Sequence, residues 1–338
     1  MTRAGHLMAA EVAEIPEVIE RQIREGFDDY LALGKMWAKA PPLFFATCAR
    51  GTSDQAALYF KYLTEIGTGI PVASLGPSLG SLFDAELRMK GAALLAISQS
   101  GASPDLVALT RKAAAGGAET VALLNTLDSP LGRAAGKVLP LSAGPERAVA
   151  ATKSFVASLF ALAAVHAGQA ADSALKNELL ALPDVLRSQR NGPKPDFLPL
   201  SKARRLFCLG RGLGLAIAGE ASLKFKETCL LAAEGASSAE FRHGPLALAD
   251  KDTAALVFLL DDATRQGTEA LIETLHQRGT SVIVLGTGSG NRSSDLRHPA
   301  TQAIAAIAVF YEAVHTLALD LGLDPDVPPN LVKATLTE

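Results

Sequence analysis

Hydroxyl and amide side chains cluster around a glycine in the segment Ser98, Gln99, Ser100, Gly101, Ala102, Ser103. The apolar run 92–95 before the segment predicts a buried strand, and residues 106–113 after it predict a helix. A turn from strand to helix directs backbone N–H groups and the positive end of the helix dipole at one point, where a phosphate group can bind. The turn has no P-loop lysine, so a nucleotide P-loop is not predicted. An ordinary turn with Ser103 as the helix N-cap is the alternative.

A second group of polar residues lies far along the chain. Lys224 and Glu227 stand three positions apart on a predicted helix and share one of its faces, and His243 follows in a Gly-Pro turn. A carboxylate, a lysine and an imidazole in a sugar-sized pocket suit an enolisation, in which one base moves a proton between neighbouring carbons. The imidazole would move protons on oxygen during ring opening. The alternative is a surface helix pair worth about a few tenths of a kcal/mol, with a histidine that only hydrogen-bonds its own turn.

Alternating strands and helices must position these residues. Strands are predicted at 43–48, 72–75, 92–97, 120–124 and 137–141, with helical segments between them. A helical stretch at 8–38, interrupted at Pro16, precedes the strands, and a long helical stretch at 152–191 follows them. Parallel strands joined by helices form a sheet that is covered on both faces, so an α/β fold is predicted.

The same pattern then starts again. The strand and turn that end at Arg211 resemble those that end at Arg50, with an offset of 161 residues. We therefore predict a tandem duplication of one α/β domain. The second copy has Asp261 and Asp262 where the first copy has its serine-rich turn. Because two carboxylates repel a phosphate group, only the first copy is expected to bind one.

Composition narrows the class of protein. The chain has 338 residues, of which 49% are hydrophobic and 20% charged, and its formal net charge is −3. This size favours two domains, and the mild acidity argues against a nucleic acid partner. The three cysteines have no CxxC spacing and are expected to be reduced, buried thiols of a cytoplasmic protein. No signal peptide, no membrane span and no histidine pair with metal-ligand spacing is recognised, so no membrane partner and no metal are expected.

Together these features resemble the double SIS (sugar isomerase) domain family over nearly the whole chain. Within the family, the chain is most similar in kind to the isomerase half of glucosamine-6-phosphate synthase and to the SIS-type glucosamine-6-phosphate deaminases. The resemblance is carried by the segments 98–103, 148–153, 220–227, 241–248 and 329–333. It implies two tandem SIS domains, each a doubly wound, flavodoxin-like parallel sheet sandwiched by helices. The expected divisions are an N-terminal helical segment 1–38, a phosphate-binding SIS domain 39–190, a second SIS domain 191–325 and an active-site tail 326–338.

The resemblance also implies which residues bind the substrate. The phosphate loop is matched by Ser98, Gln99, Ser100 and Ser103, with Ser103 in place of the more usual threonine. Thr52 and Ser53 match a sugar-contacting turn, and Val149 matches a backbone contact near the C2 substituent. Arg50 departs from the synthase pattern and is similar to the deaminase branch. It is expected to be either a further anion contact or a structural residue paired with a carboxylate.

Four residues are implied to be catalytic. Glu227 matches the carboxylate that moves a proton between C1 and C2, and Lys224 lies beside it. His243 matches a ring-opening histidine that comes from a neighbouring subunit in this family. Lys333 matches the C-terminal lysine that closes over the open-chain sugar. A homodimer with a shared active site is therefore expected.

The expected activity is conversion of glucosamine 6-phosphate and water to fructose 6-phosphate and ammonia, with no cofactor. The SIS region begins almost at Met1, so no glutaminase domain is expected within this chain. Alternatives within the fold are another phosphosugar isomerase, a galactosamine-6-phosphate deaminase and a deglycase. A different class is a non-catalytic sugar-phosphate sensor, against which the retained Glu227, His243 and Lys333 argue.

Overall fold

The chain contains two separate parallel sheets. The structure is a computed structural model that describes residues 5–286 and 296–333. Contacts divide these residues into two units. The first-repeat unit consists of Glu17–Glu146 and Lys153–Leu180. The second-repeat unit consists of the described parts of Met1–Pro16, Arg147–Thr152 and Ala181–Lys333. The second-repeat unit is thus built from three stretches of chain.

Three helices form the N-terminal region: α1 (His6–Ala13), α2 (Ile15–Glu25) and α3 (Phe27–Lys39). The interruption predicted near Pro16 is present, but it falls at Glu14, because a proline fits the first turn of a helix without breaking it. A second break, at Gly26, was not predicted.

The sheet of the first-repeat unit has five parallel strands in the order β2-β1-β3-β4-β5. Its elements are β1 (Phe45–Cys48), α4 (Thr52–Thr68), β2 (Val72–Ser74), α5 (Ser78–Ser81), β3 (Ala93–Ser98), α6 (Pro104–Ala115), β4 (Glu119–Leu124), α7 (Pro130–Ala134) and β5 (Lys137–Pro140). The strand order reverses between β1 and β3, which pair with Cys48 opposite Ala96. The turns that follow these two strands therefore leave the same sheet edge side by side, at the switch point where ligands of open α/β sheets bind.

Two helices replace the single helical stretch predicted at 152–191. They are α8 (Lys153–Gln169) and α9 (Ser173–Arg190), separated where Ala171 has a left-handed φ of 52°. Every residue of α8 is buried. A Cβ atom added at Gly34 of α3 would lie 1.9 Å from the carbonyl oxygen of Val165, so the glycine allows α3 and α8 to approach closely. The alanine-rich α8 is a core helix of its unit.

The sheet of the second-repeat unit has four parallel strands in the order β7-β6-β8-β9. Its elements are α10 (Leu198–Ser201), β6 (Arg205–Gly210), α11 (Leu213–Cys229), β7 (Ala233–Ser237), two short 3-10 helices (Glu240–His243 and Pro245–Leu248), β8 (Thr253–Leu259), α12 (Arg265–Gln277), β9 (Ser281–Gly286) and α13 (Pro299–Asp320). Among the described helices, α13 is long and apolar enough to cross a membrane, but 72% of that window is buried within the protein.

The predicted duplication is confirmed by the backbone. Helices α4 and α11 are both 17 residues long, and each begins directly after a glycine in an unusual conformation. Gly51 has φ 53° and ψ −127°, and Gly212 has φ 57° and ψ −127°. Both sheets also share the order second, first, third, fourth strand. Each repeat is thus a doubly wound parallel sheet, as the sequence predicts.

All three cysteines are buried and free. Burial raises the pKa of the Cys48 thiol to about 12 and that of Cys229 to about 11. A thiol reacts through its thiolate, so these side chains are inert at neutral pH. They serve as small apolar core residues.

Candidate active site

The serine-rich turn after β3 is held in a defined shape by its own hydroxyl groups. The N–H of Gly101 donates to Ser98 Oγ at 3.0 Å, and the N–H of Ala102 donates to Ser100 Oγ at 3.3 Å. Gly101 has a φ of 63°, and a Cβ atom there would lie 2.2 Å from Ser129 Oγ. Only glycine fits this position. The turn is therefore preorganised at the carboxyl edge of the sheet.

Helix α6 begins in this turn, with Ser103 as its N-cap residue. Its side chain makes no capping hydrogen bond in the structure. The alternative in which this serine serves only to cap the helix therefore lacks its defining contact. A hydroxyl beside the first turn of a helix is well placed to donate to an anion held by the helix dipole.

Arg50 connects this turn to the turn after β1. Its guanidinium donates twice to one carboxylate oxygen of Asp105, at 2.9 and 2.6 Å, and Asp105 is completely buried in the first turn of α6. This is the pairing with a carboxylate expected for a structural arginine. The Arg50 side chain is still 47% exposed. The ion pair joins the turn that carries Thr52 and Ser53 to the start of the helix that follows the serine-rich turn.

The corresponding turn of the second repeat has different chemistry. A carboxylate oxygen of Asp262 accepts from the backbone N–H of Thr264 at 2.7 Å and from its hydroxyl at 2.5 Å. Asp261 lies 3.8 Å from the guanidinium of Arg265. The Asp262 carboxylate thus occupies the two donors of Thr264, which could otherwise bind an anion. That only the first repeat binds phosphate stays a prediction.

A buried ionic network runs along one face of α11. Lys224 is completely buried, and its Nζ atom lies 2.5 Å from Glu227 Oε2 and 3.3 Å from Glu220 Oε1. The hydroxyl of Tyr311, on α13, donates to Glu220 Oε1 at 2.8 Å. Glu227, with 20% of its side chain exposed, is the member of this network that reaches the surface. The alternative of a surface helix pair is wrong for Lys224, because the lysine has no contact with solvent.

The charge of Lys224 is set by its two carboxylate neighbours. Burial alone lowers the pKa of a lysine, but the negative charges of Glu220 and Glu227 outweigh burial and raise the pKa of Lys224 above its ordinary value. The lysine is therefore a cation at neutral pH. It orients the Glu227 carboxylate with a charge-assisted hydrogen bond.

His243 is the last residue of the first 3-10 helix, and Gly244 follows with a φ of 148°. The predicted turn is thus present. Phe241 packs edge-on against Phe207 of β6 with ring centroids 4.9 Å apart, which anchors the short helix to the sheet. The imidazole itself is exposed, and it makes no hydrogen bond to the residues that the structure describes. A fixed backbone therefore presents a histidine to the outside of its unit.

The remaining predicted residues, Val149 and Lys333, also belong to the second-repeat unit and are partly exposed. The N–H of Val149 donates to the carbonyl oxygen of Asp326 at 3.3 Å. The structure thus distributes the predicted residues between the units, with the phosphate loop, Arg50, Thr52 and Ser53 in the first and the others in the second.

Sequence reasoning missed several buried acidic and phenolic groups that support these residues: Glu11, Asp105, Glu220, Tyr311 and Asp326. The spacing of four residues between Glu220 and Lys224 was a usable signal, because such residues are neighbours on a helix. The other four act across long sequence separations. Within residues 5–286 and 296–333, no group of three or more His, Cys, Asp and Glu side chains is placed to hold a metal ion.

Comparison with known proteins identifies the family. The SIS domain family matches residues 45–167 and 199–317, which are the two repeats. The chain therefore belongs to the SIS domain family, and each of its two repeats is an SIS domain.

Similar proteins include enzymes of amino sugar and phosphosugar chemistry. A glutamine–fructose-6-phosphate aminotransferase (isomerizing) of Bradyrhizobium diazoefficiens is 32% identical over 98% of this chain and 59% of its own length. The chain thus spans between about half and three fifths of the length of the similar curated relatives. The crystal structure of a candidate phosphosugar isomerase from Silicibacter pomeroyi DSS-3 is 39% identical, with a TM-score of 0.88 over 95% of this chain and 99% of that one. Glucosamine-6-phosphate deaminase from Thermotoga maritima shares the fold at 19% identity, with a TM-score of 0.75 over 96% of this chain and 100% of that one.

Proposed function

We propose that this chain is a phosphosugar enzyme that deaminates a hexosamine 6-phosphate, converting glucosamine 6-phosphate and water to fructose 6-phosphate and ammonia. The observation that carries the proposal is the pair of Lys224 and Glu227. A carboxylate that reaches the surface is held at 2.5 Å by a fully buried cation. Such an arrangement suits a general base that must keep one orientation while it moves a proton.

The phosphate group is the anchor of the substrate in this proposal. It binds the serine-rich turn that leads into α6, where we propose that the hydroxyl groups of Ser98, Ser100 and Ser103 and the amide of Gln99 contact it. Thr52, Ser53 and Arg50 extend the polar surface from the neighbouring turn. Binding energy from the phosphate, which does not react, is then available to orient the carbons that do.

The chemistry takes place at C1 and C2 of the open-chain sugar. His243 assists ring opening by moving a proton between the ring oxygen and the C1 hydroxyl. Glu227 removes the proton from C2 and returns it to C1, while a second proton passes from the C2 amino group to the C1 oxygen. The C1 aldehyde with a C2 amine thereby becomes a C1 alcohol with a C2 imine. Water adds to the imine and ammonia leaves, giving the ketose. Lys333 stabilises the negative charge that develops on oxygen, whereas the fully buried Lys224 acts through Glu227, whose carboxylate it holds in place.

The exposed imidazole of His243 supports an arrangement in which it completes the site of a second copy. We therefore propose a homodimer with a shared active site. Val149 contacts the substrate near the C2 substituent through its backbone. No nucleic acid or membrane partner is part of the proposal, and the cell compartment proposed is the cytoplasm.

A substrate panel tests the activity. Purified protein is incubated with glucosamine 6-phosphate, galactosamine 6-phosphate, glucose 6-phosphate and a fructosamine 6-phosphate, while ammonia, free amine and ketose are measured. Ammonia from the first substrate alone supports the proposal. Ammonia from the second, interconversion of the third or cleavage of the fourth identifies one of the other enzymes of this fold. Binding of these sugars without any turnover identifies a sensor and overturns the proposal.

A matched pair of variants tests the role of Glu227. Glu227→Gln keeps the size of the side chain but cannot accept a proton, so kcat is expected to fall by about 10²–10⁴-fold, the usual contribution of a general base. Glucosamine 6-phosphate binding measured by calorimetry is expected to change far less. Glu234→Gln, at an exposed position of the same unit, is the control. Turnover by Glu227→Gln at the wild-type rate would assign the base to another residue.

A further inference from the structure

Helix α1 is bonded to two segments of the second-repeat unit that lie far from it in sequence. Glu11, in the middle of the helix, is 95% buried. Its carboxylate accepts hydrogen bonds from the backbone N–H groups of Arg147 and Ala148, the latter at 3.3 Å. A buried carboxylate is tolerated when backbone donors satisfy it. The helix thereby fixes the conformation of the loop that begins at Arg147.

The N-terminus of α1 is capped by a residue from the other end of the described chain. Gly5, at the N-cap position, has no side chain with which to cap the helix. Asp326 takes over this role, because its carboxylate accepts from the N–H of Leu7 at 2.9 Å and from the N–H of Met8 at 2.8 Å. A carboxylate at a helix N-terminus also interacts favourably with the helix dipole.

A third contact closes the arrangement. The carbonyl oxygen of Asp326 accepts from the N–H of Val149 at 3.3 Å. The helix, the loop at 147–149 and the segment at Asp326 are therefore bonded to one another in all three pairings. The loop carries Val149, and the chain from Asp326 continues to Lys333. Both of these residues belong to the proposed active site, whereas α1 contains none.

We propose that Glu11 and Asp326 are positioning residues of the active site. They act through the backbone by fixing Val149 at the C2 end of the substrate and by fixing the point from which the segment bearing Lys333 begins. The proposal rests on the proposed function for the identity of the ligand. It goes beyond that function because it gives helix α1 an indirect part in substrate recognition, through the residues that it positions.

Glu11→Met and Glu11→Gln test the proposal, with Glu14→Gln at the exposed end of the same helix as the control. Methionine removes both acceptor oxygens, whereas glutamine keeps one. Hydrogen exchange at the amides of Arg147 and Ala148 is expected to be about tenfold or more faster in Glu11→Met and less affected in Glu11→Gln. Unchanged exchange at these two amides would overturn the claim that α1 holds the loop.

Ligand binding separates positioning from a structural role. Glucosamine 6-phosphate is expected to bind Glu11→Met about tenfold more weakly, the effect of one lost hydrogen bond. Inorganic phosphate, which the proposal places on the serine-rich turn of the other unit, is expected to bind equally well. Equal weakening of both ligands, or of neither, would show that Glu11 only supports the fold. Asp326→Asn is expected to give the same selective loss.

The two proposals can fail separately. If the wild-type protein does not bind glucosamine 6-phosphate, the proposed function is wrong, and hydrogen exchange alone decides whether α1 holds the loop. If the wild-type protein turns the sugar over while Glu11→Met retains its affinity, the positioning role is wrong and the function stands. Should Glu11→Met not fold, Glu11→Gln decides the question with the same measurements.

Discussion

Removal of the buried charge of Lys224 should destabilise the second-repeat unit strongly. Lys224→Met fills much of the same volume but removes the cation that lies beside Glu220. The Glu220 carboxylate is also fully buried, and it keeps its hydrogen bond from the hydroxyl of Tyr311. Loss of one partner of a buried ion pair typically costs about 3–5 kcal/mol, because the remaining charge is uncompensated. Glu227 adds little to this cost, since it reaches the surface and can be solvated.

A second substitution should reverse most of the loss. Glu220→Gln combined with Lys224→Met removes both buried charges, and replacing a buried ion pair by groups of similar volume is often close to neutral. The double variant is therefore expected to be more stable than Lys224→Met by at least about 2 kcal/mol, a coupling that a double-mutant cycle measures. Lys226→Met is the control, because Lys226 is exposed on the same helix and its loss should change stability by less than about 0.5 kcal/mol.

Native-state hydrogen exchange of the α11 amides is the appropriate assay. The chain has one tryptophan, and Trp37 lies in the first-repeat unit, so tryptophan fluorescence would report on the other unit. Exchange at α11 reports the opening free energy of the helix itself. A cost below about 1 kcal/mol for Lys224→Met, or a double variant no more stable than the single one, would refute the argument. The strongest support for the argument would be a Lys224→Met protein that folds only when Glu220→Gln is added.

The same network predicts a dependence on pH. The folded-state pKa of Lys224 lies above its ordinary value of 10.5, so folding favours the charged form. This contribution to stability is fully present below about pH 10.5 and is lost as pH rises through the raised pKa. The opening free energy of α11 should therefore decrease more steeply above pH 10.5 in the wild type than in the double variant. Parallel curves would show that Lys224 does not titrate with folding.

Three further predictions concern the proposed site. Ser100→Ala combined with Ser103→Ala should raise KM and lower kcat/KM. The loss of two hydrogen bonds to a charged phosphate should weaken transition-state binding by about 3–6 kcal/mol, and an unchanged kcat/KM would remove the turn from the site. Gly101→Ala should abolish phosphate binding in calorimetry, because the added methyl group collides with Ser129 and forces the turn to change shape. Wild-type affinity would show that the turn is not the anchor. Inactive Glu227→Gln and His243→Asn chains should recover activity when mixed, and no recovery after demonstrated subunit exchange would argue against a shared site.

Most of the fold was predictable because the repeated pattern of apolar strands and helices is strong. The parts that were not predictable depend on tertiary contacts. Strand β7 has the sequence Ala-Glu-Gly-Ala-Ser, without β-branched or aromatic residues, and it forms at the sheet edge by pairing with β6. The break at Ala171 carries no glycine or proline signal, although the residue adopts a left-handed φ.

The candidate site was predictable in its residue types but not in its surroundings. Lys224 and Glu227 have the same spacing whether the helix face is exposed or buried, so sequence alone left both alternatives open. The burial of Lys224 follows from contact of α11 with α13 and from the hydroxyl of Tyr311, which lies 91 residues from Glu220. The roles of Glu11 and Asp326 were likewise hidden, because each bonds to backbone groups more than a hundred residues away.

These long separations have a consequence for the order in which the protein folds during synthesis. The described contacts of the first-repeat unit are available once Leu180 has left the ribosome. Helix α1 is synthesised before all of them, yet Leu7 is 319 residues from the carboxylate that caps it. At about 5–20 residues per second, α1 must wait about 15–60 s for that carboxylate. Helix α1 is synthesised before both sheets, yet it is among the last elements to acquire its native contacts.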